Sequence, residues 1–340
     1  MQEELNKGPL LDEKGNLVQA GYSFSLVKDY CRDHIKAKKS RIKEWDYYYI
    51  GNDEYGIAIT IADNSYMGMG SVSFLDFKNK KDITKSRIKL FTKGKLALPS
   101  SSKEGDVYFN SKECQISFVH ENDKRHIQVH YKNFEKNIDL RADLYLEETN
   151  EGSMVIATPF KKDKHFYYNQ KINLLKCAGY VKYGEIIYDF NNNCYGVLDW
   201  GRGVWTYKNT WYWSSLNAIY EGKRIGFNFG YGFGDTSKAS ENMFFYDDKA
   251  YKMEDVRFDI PIAKNGKDDF LKPWKFRSSS KNIDLTFTPI LNRNANMNLL
   301  VLKSIQNQVF GYFCGYVILD GKEIYFDHLL GFAEKVKNCW

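Results

Sequence analysis

Hydrophobic and polar positions alternate along this chain in short runs of period two. Ile57, Ile59 and Ile61 alternate with Ala58 and Thr60, and Val107 with Phe109, Ile116 with Phe118, and Ile225 with Phe227 and Phe229 repeat the pattern. β-Branched and aromatic residues at every second position predict half-buried strands. Turn signals separate the runs: Gly51-Asn52-Asp53, Glu121-Asn122-Asp123, Asn191-Asn192-Asn193, Asp247-Asp248 and Asp320-Gly321. Helical periodicity is sparse, and its best segment is Leu26 to Lys39. Many regularly spaced strands with few helices predict a sandwich or barrel.

The middle and the end of the chain share a pattern. Cys177-Ala-Gly179-Tyr180-Val181, Glu185-Ile186-Ile187-Tyr188, Gly196-Val-Leu-Asp199 and Trp205 are answered by Cys314-Gly315-Tyr316-Val317, Glu323-Ile324-Tyr325, Gly331-Phe-Ala-Glu334 and Trp340. One constant offset relates Gly196 to Gly331, Asp199 to Glu334, Arg202 to Lys337 and Trp205 to Trp340. The starts of the halves correspond more loosely, with Trp45 heading one and Trp211 the other. The expected organisation is an N-terminal strap (1–40) and two related β-barrel domains (41–205 and 206–340). Small barrels of about eight strands enclose one apolar ligand, and barrel mouths and domain interfaces are preferred ligand sites.

Composition narrows the class. With 43% hydrophobic residues in 340, the chain has too much apolar mass to stay unfolded. The longest nearly apolar run, Phe310 to Leu319, is about half the length of a membrane span, so no transmembrane segment is expected. The N-terminus has no basic start followed by an apolar core, so no signal peptide is read. Six widely spaced cysteines without a Cys-x-x-Cys pair suit reduced thiols in a cytoplasmic protein. The net charge of +6 is mild, and part of it sits in the basic segment Lys28 to Lys43. No nucleic-acid motif accompanies it. No oligomeric state is legible.

Segments Gly8-Pro-Leu-Leu-Asp-Glu-Lys-Gly-Asn16, Phe166-Tyr-Tyr-Asn-Gln-Lys-Ile172, Asp199-Trp-Gly-Arg-Gly-Val-Trp205, Glu241-Asn-Met-Phe-Phe245 and Gly331 to Trp340 resemble the uncharacterised family called domain of unknown function 2804. More distantly, Glu44-Trp45-Asp46-Tyr47-Tyr48, Gly196-Val-Leu-Asp199-Trp200 and Thr210-Trp211-Tyr212-Trp213 are similar to the carotenoid hydratase and AttH-like proteins. That resemblance implies an all-β chain of two tandem lipocalin-like antiparallel barrels, and a lipid- or isoprenoid-like ligand. The chain departs from the pattern after the aspartate: those proteins place His or Arg and then Glu there, and this chain has Trp200 and Gly201.

The candidate chemistry is acid–base. Asp199 in an aromatic pocket would donate a proton, with Arg202 holding it ionised or gripping an anionic group; the alternative is a structural ion pair. Glu241 is a candidate second carboxylate, and Glu334 the structural counterpart of Asp199. On a strand, Tyr168 and Gln170 share one face, and Tyr167, Asn169 and Lys171 the other. Candidate ligand contacts are Tyr168, Asn169, Lys171, Trp200, Trp205, Trp211, Trp213, Asn242 and Glu334. His126 and His130 sit on a strand about 13 Å apart, too far for one metal ion, and no metal or cofactor is expected. The functional expectation is binding of a hydrophobic or amphipathic small molecule, with acid-catalysed hydration or isomerisation of a double bond. A non-catalytic carrier or sensor is the main alternative, and carbohydrate binding a lesser one.

Overall fold

A computed structural model describes residues 2–299 and 302–339, the side chains of 296–299 and 302 excepted. Trp340, the last position of the repeated tail motif, therefore lies outside the described residues. The N-terminal segment contributes β1 (Gly8–Pro9), β2 (Gly21–Ser23) and β3 (Lys28–Asp29). The best helical segment of the sequence, Leu26 to Lys39, forms no α-helix. It holds β3 and one short 3-10 turn, Arg32–His34, and a second, Lys39–Arg41, begins at its last residue. Its apolar residues Tyr30 and Ile35 are drawn into the core of the first sheet, and Arg32 pairs with buried Glu44. Tertiary burial overrides weak propensity here. Among the described residues no helix is long and apolar enough to cross a membrane.

The first sheet is built from β4 (Ile42–Gly51), β5 (Tyr55–Asp63), β6 (Met67–Asp76), β7 (Lys81–Leu90), β8 (Val107–Asn110), β9 (Cys114–Glu121), β10 (Lys124–Glu135), β11 (Ile138–Glu147), β12 (Met154–Pro159), β13 (Phe166–Tyr183), β14 (Ile186–Asp189) and β15 (Tyr195–Val204). Its main path runs β7-β6-β5-β4-β15-β13-β11-β10-β9-β8, with β12, β14 and β2 attached at the side. The sheet curls until its ends meet through side chains. Arg87 of β7 pairs with Glu113, and Lys89 lies 5.3 Å over the ring of Phe109 on β8.

The second sheet follows with β16 (Lys208–Tyr220), β17 (Lys223–Tyr231), β18 (Met243–Tyr246), β19 (Lys249–Lys252), β20 (Arg257–Asp259), β21 (Trp274–Arg277), β22 (Ile283–Leu299), β23 (Leu302–Leu319) and β24 (Lys322–Cys339). Its order is β19-β18-β17-β16-β24-β23-β22-β21-β20. Both sheets thus begin with a meander whose first strand pairs with the last strand of its half. The fold is all-β, two curled antiparallel half-barrel sheets related by duplication. Register carries the repeat residue by residue: Gly196 faces Ile50 and Gly331 faces Leu216, while Asp199 faces Tyr47 and Glu334 faces Trp213. Gly179 and Gly315 share an unusual φ, 127° and 139°, each against an Asp carbonyl of the neighbouring strand.

Each sheet has its own apolar interior. The N-terminal segment sends Leu5, Leu10, Leu11, Tyr30 and Ile35 into the first. Phe227, Phe229, Trp274, Phe276, Phe287 and Phe313 fill the second. A third apolar layer lies between the sheets, where Tyr47, Tyr49 and Val197 meet Trp213, Phe310 and Phe332. A bulge in β13 fastens the halves. There Asn173 donates to Ser215 Oγ at 2.9 Å and to the Phe227 carbonyl at 3.0 Å, and the Leu174 amide donates to Asn217 Oδ1 at 2.7 Å.

Candidate functional site

Strands β13, β15 and β4 lie side by side, and period-two alternation sorts their residues onto two faces. The face turned into the first barrel carries Tyr168, Gln170, Trp200 and Arg202. The opposite face carries Tyr167, Asn169, Lys171, Asp199, Trp45 and Tyr47, and it looks onto the second sheet. That sheet answers with Trp211 and Trp213 of β16, Glu334 of β24, Gln306 and Gln308 of β23, and Arg293 of β22. Between them is a cavity of about 220 Å3, completed by Trp205, Phe233 and Glu241.

One end is an aromatic wall. Trp45 stacks on Tyr167 with centroids 6.0 Å apart and meets Trp205 edge-on at 5.1 Å. Phe233 touches Tyr167, Trp205 and Trp211 at 4.7, 4.7 and 5.3 Å. Gly232 and Gly234 flank Phe233 with φ of 91° and 76°, a left-handed backbone that glycine adopts without strain.

Charged groups converge beside this wall. Asp199 Oδ1 accepts from Lys171 Nζ at 2.7 Å and from Asn169 Nδ2 at 2.6 Å. The Lys171 ammonium also sits 4.2 Å from the centre of the Trp213 ring. Glu334 accepts from Trp211 Nε1 at 2.9 Å and from Gln306 and Gln308 at 3.3 Å each. Burial raises its pKa, against the pull of the Trp211 donor and Arg293. Trp213 Nε1 donates to Asn228 Oδ1 at 2.6 Å, and Asn228 in turn donates to the Glu241 carbonyl at 2.6 Å.

Glu241 differs from the other two carboxylates. It is 5% exposed, and no donor among the described residues bonds its carboxylate. Burial pushes its pKa up to about 7; Lys171 restrains the rise and the Asp199 charge adds to it. A carboxyl poised near neutrality in an aromatic cavity can exchange a proton with a ligand. Among the described residues, no group of three or more His, Cys, Asp or Glu side chains could hold a metal ion.

Duplication organises the cavity. The cross-strand row Lys171–Asp199–Tyr47 of the first sheet matches Gln308–Glu334–Trp213 of the second. Each row reaches across to the other: Lys171 to the Trp213 ring, Gln308 to the Tyr47 hydroxyl at 3.2 Å.

The chain belongs to the family described as Domain of unknown function (DUF2804). Its family model matches residues 2–340. No curated protein matches the chain. Among solved structures it is similar to an AttH-like protein from Nitrosomonas europaea, with 11% identity and a TM-score of 0.56 over 90% of this chain and 96% of that one. It also matches kievitone hydratase from Nectria haematococca, with 11% identity and a TM-score of 0.49 over 88% of each chain. At such identity the first likeness bears on fold alone.

For this member of the DUF2804 family, the structure divides the sequence candidates. Asp199, Lys171, Trp205, Trp211, Trp213, Glu241 and Glu334 line the cavity, and Asn169 stands behind Asp199. Arg202 does not pair with Asp199. Residues i and i+3 of a strand lie on opposite faces, and Arg202 is wholly buried in the first barrel, bonded to Asp46 and to the carbonyls of Trp45, Pro99 and Gly201. Trp200 packs inside the same barrel against Tyr30 and Tyr168. Tyr168 bonds the backbone of Lys28, securing the N-terminal segment. Asn242 points away from the cavity, to the Gly230 amide at 2.9 Å and the Glu254 carbonyl at 2.6 Å. Sequence reading missed Tyr47, Phe233, Arg293, Gln306 and Gln308. The repeat held a signal for two of them: the offset that joins Asp199 to Glu334 makes the strand partners of both carboxylates candidates, and Tyr47 and Gln308 are among these.

Proposed function

We propose that this protein binds a hydrophobic or amphipathic small molecule, lipid- or isoprenoid-like, in the cavity between its sheets and adds a proton to a double bond within it. The observation that carries this reading is the convergence of two unlike carboxylates on one aromatic cavity: Asp199, ion-paired to Lys171, and Glu241, buried without a donor. Environments that separate two acids in this way divide the acid and base roles.

In the proposed reaction the Glu241 carboxyl gives its proton to one alkene carbon, and the π pair becomes the new C–H bond. Positive charge develops on the neighbouring carbon, where the faces of Trp211 and Trp213 attract it. Water then adds to that carbon while Asp199 takes its proton, giving an alcohol. Alternatively, loss of a proton from an adjacent carbon gives the shifted alkene. The volume of about 220 Å3 exceeds the roughly 150 Å3 that accommodates benzene, so the enclosed part of the ligand is a ring or a few isoprene carbons.

The test is incubation with unsaturated terpenoid acids and alcohols in H2(18)O and, separately, in D2O, with mass spectrometry of the recovered ligand. Wild type is expected to introduce 18O or deuterium. Glu241→Gln is expected to bind the same ligands and introduce neither. A wild-type protein that binds them and leaves them unlabelled is a carrier, the second reading, which the aromatic wall around Phe233 supports.

A further inference from the structure

Among the described residues three arginines are 8% exposed or less: Arg125, Arg202 and Arg293. Arg125 pairs with Glu148 and Arg202 with Asp46, each at 2.8 Å. Arg293 has no carboxylate oxygen within 4.0 Å among the described residues, and its one hydrogen bond there runs from Nη1 to Ser73 Oγ at 2.9 Å. Its guanidinium lines the cavity with the Ser71 and Ser73 side chains. A guanidinium has five N–H donors, and burying its charge without an anion is costly.

Neither nearby acid forms an ion pair with Arg293 among the described residues. Glu334 already takes donors from Trp211, Gln306 and Gln308. Asp82 feels the Arg293 charge but lies beyond ion-pair distance. The scaffold does not require Arg293 either. It stands opposite Gln308 on β23, and the matching place in the first half, opposite Lys171, is held by Met154. The position is apolar in one copy and cationic in the other, and the cationic copy points into the cavity.

We propose that Arg293, with the hydroxyls of Ser71 and Ser73, is an anion subsite, and that the ligand of this cavity is an apolar molecule with a carboxylate or phosphate head. The proposal rests on the cavity being the ligand site and adds the class of ligand it takes. The planar guanidinium matches either head through paired N–H donors. The aromatic wall of Trp45, Trp205 and Phe233 receives the tail.

Binding of dodecanoate, dodecyl phosphate and dodecanol, followed by tryptophan fluorescence and calorimetry, tests this. Wild type is expected to bind at least one of the two anions tenfold or more tighter than dodecanol, and the tighter anion identifies the head. Arg293→Gln should bring that anion to the affinity of the alcohol while dodecanol binding changes little. Arg293→Lys, which keeps the charge, should retain part of the preference. Circular dichroism reports whether the variants fold; if Arg293→Gln does not, the wild-type comparison of anion with alcohol still decides. Equal binding of all three probes by wild type overturns the anion subsite and leaves the cavity reading standing. Binding of none overturns both.

Discussion

Replacing Glu241 with Gln removes a carboxyl whose pKa burial moves from 4.5 to about 7. In that window the folded protein keeps a proton that the unfolded chain releases. The native state binds more protons, so its stability falls as pH rises from about 4.5 to about 7 and is level above. At 1.36 kcal/mol per pKa unit the full effect is at most about 3 kcal/mol. The quantity to measure is the unfolding free energy of wild type minus that of Glu241→Gln, from urea titrations at several pH values. It should decline by up to about 3 kcal/mol across the window and then flatten. Lys252 does not mimic this. Burial lowers its pKa from 10.5 to about 7, so its contribution rises with pH above about 7, with the opposite sign. A wild-type minus variant difference that is flat from about pH 4.5 to 7 would mean that Glu241 titrates as an ordinary surface acid. The proton-donor role would then have no physical basis.

Further measurements probe other parts of the structure. Gly201→Ala places a Cβ 1.9 Å from the Trp45 ring, so the indole must move by about 1.5 Å against Tyr167 and Trp205. Overpacking of this kind costs about 1–3 kcal/mol, and thermal melts should show it together with weaker binding of an apolar dye; an unchanged melt would refute the packing argument. Arg202→Met strands buried Asp46 and should cost about 3–5 kcal/mol, most of it recovered in the Asp46→Leu double variant. Normal stability with lost ligand binding would instead return Arg202 to the cavity. Tyr168→Phe removes the bonds to Lys28 and should cost about 1 kcal/mol, with faster proteolysis within the first forty residues; protection equal to wild type would refute its role as an anchor. Lys252→Met should abolish the gain in stability between about pH 7 and 10.5, and a retained gain would assign it to another group.

Period two and turn chemistry made the architecture legible. Asn122-Asp123, Asp247-Asp248 and Asp320-Gly321 are two-residue hairpin turns with positive φ at both positions, as their composition predicts. The tail repeat was legible because closing a half with the same strand pairing places like residues at like registers. Leu26 to Lys39 forms no α-helix because Tyr30 and Ile35 enter the core of the first sheet from an extended strap rather than from one helical stripe. Asp199 and Arg202 do not pair because strand parity, not sequence proximity, sets the face each occupies: Arg202 turns into the first barrel to Asp46 and Asp199 to the cavity. Arg293 and Phe233 were illegible for another reason. The site is assembled between sheets, and nothing local in Asn292-Arg293-Asn294 or Gly232-Phe233-Gly234 indicates which distant strand each will face.

Duplication also sharpens where chemistry is to be sought. Positions that match between halves, such as Trp45 with Trp211 and Asp199 with Glu334, face each other's sheet and fix the cavity walls. In both halves the matched carboxylate is engaged by its own neighbours: Lys171 and Asn169 at Asp199 Oδ1, and Trp211, Gln306 and Gln308 at Glu334. Groups so engaged change state only at the expense of those bonds, which suits Asp199 to stay ionised as the proton acceptor and leaves proton donation to another group. The charged groups left underused are the ones the repeat does not impose. Arg293 replaces Met154, and Glu241 reaches the cavity beside Gly230, whose place in the first half belongs to Thr60. A cavity built from two copies of one sheet gains its direction from such departures. In the proposed reading, a ligand that could enter a symmetric cavity either way round meets here, among the described residues, a cation without a carboxylate partner, Arg293, and a carboxylate without a donor, Glu241, both supplied by the second half.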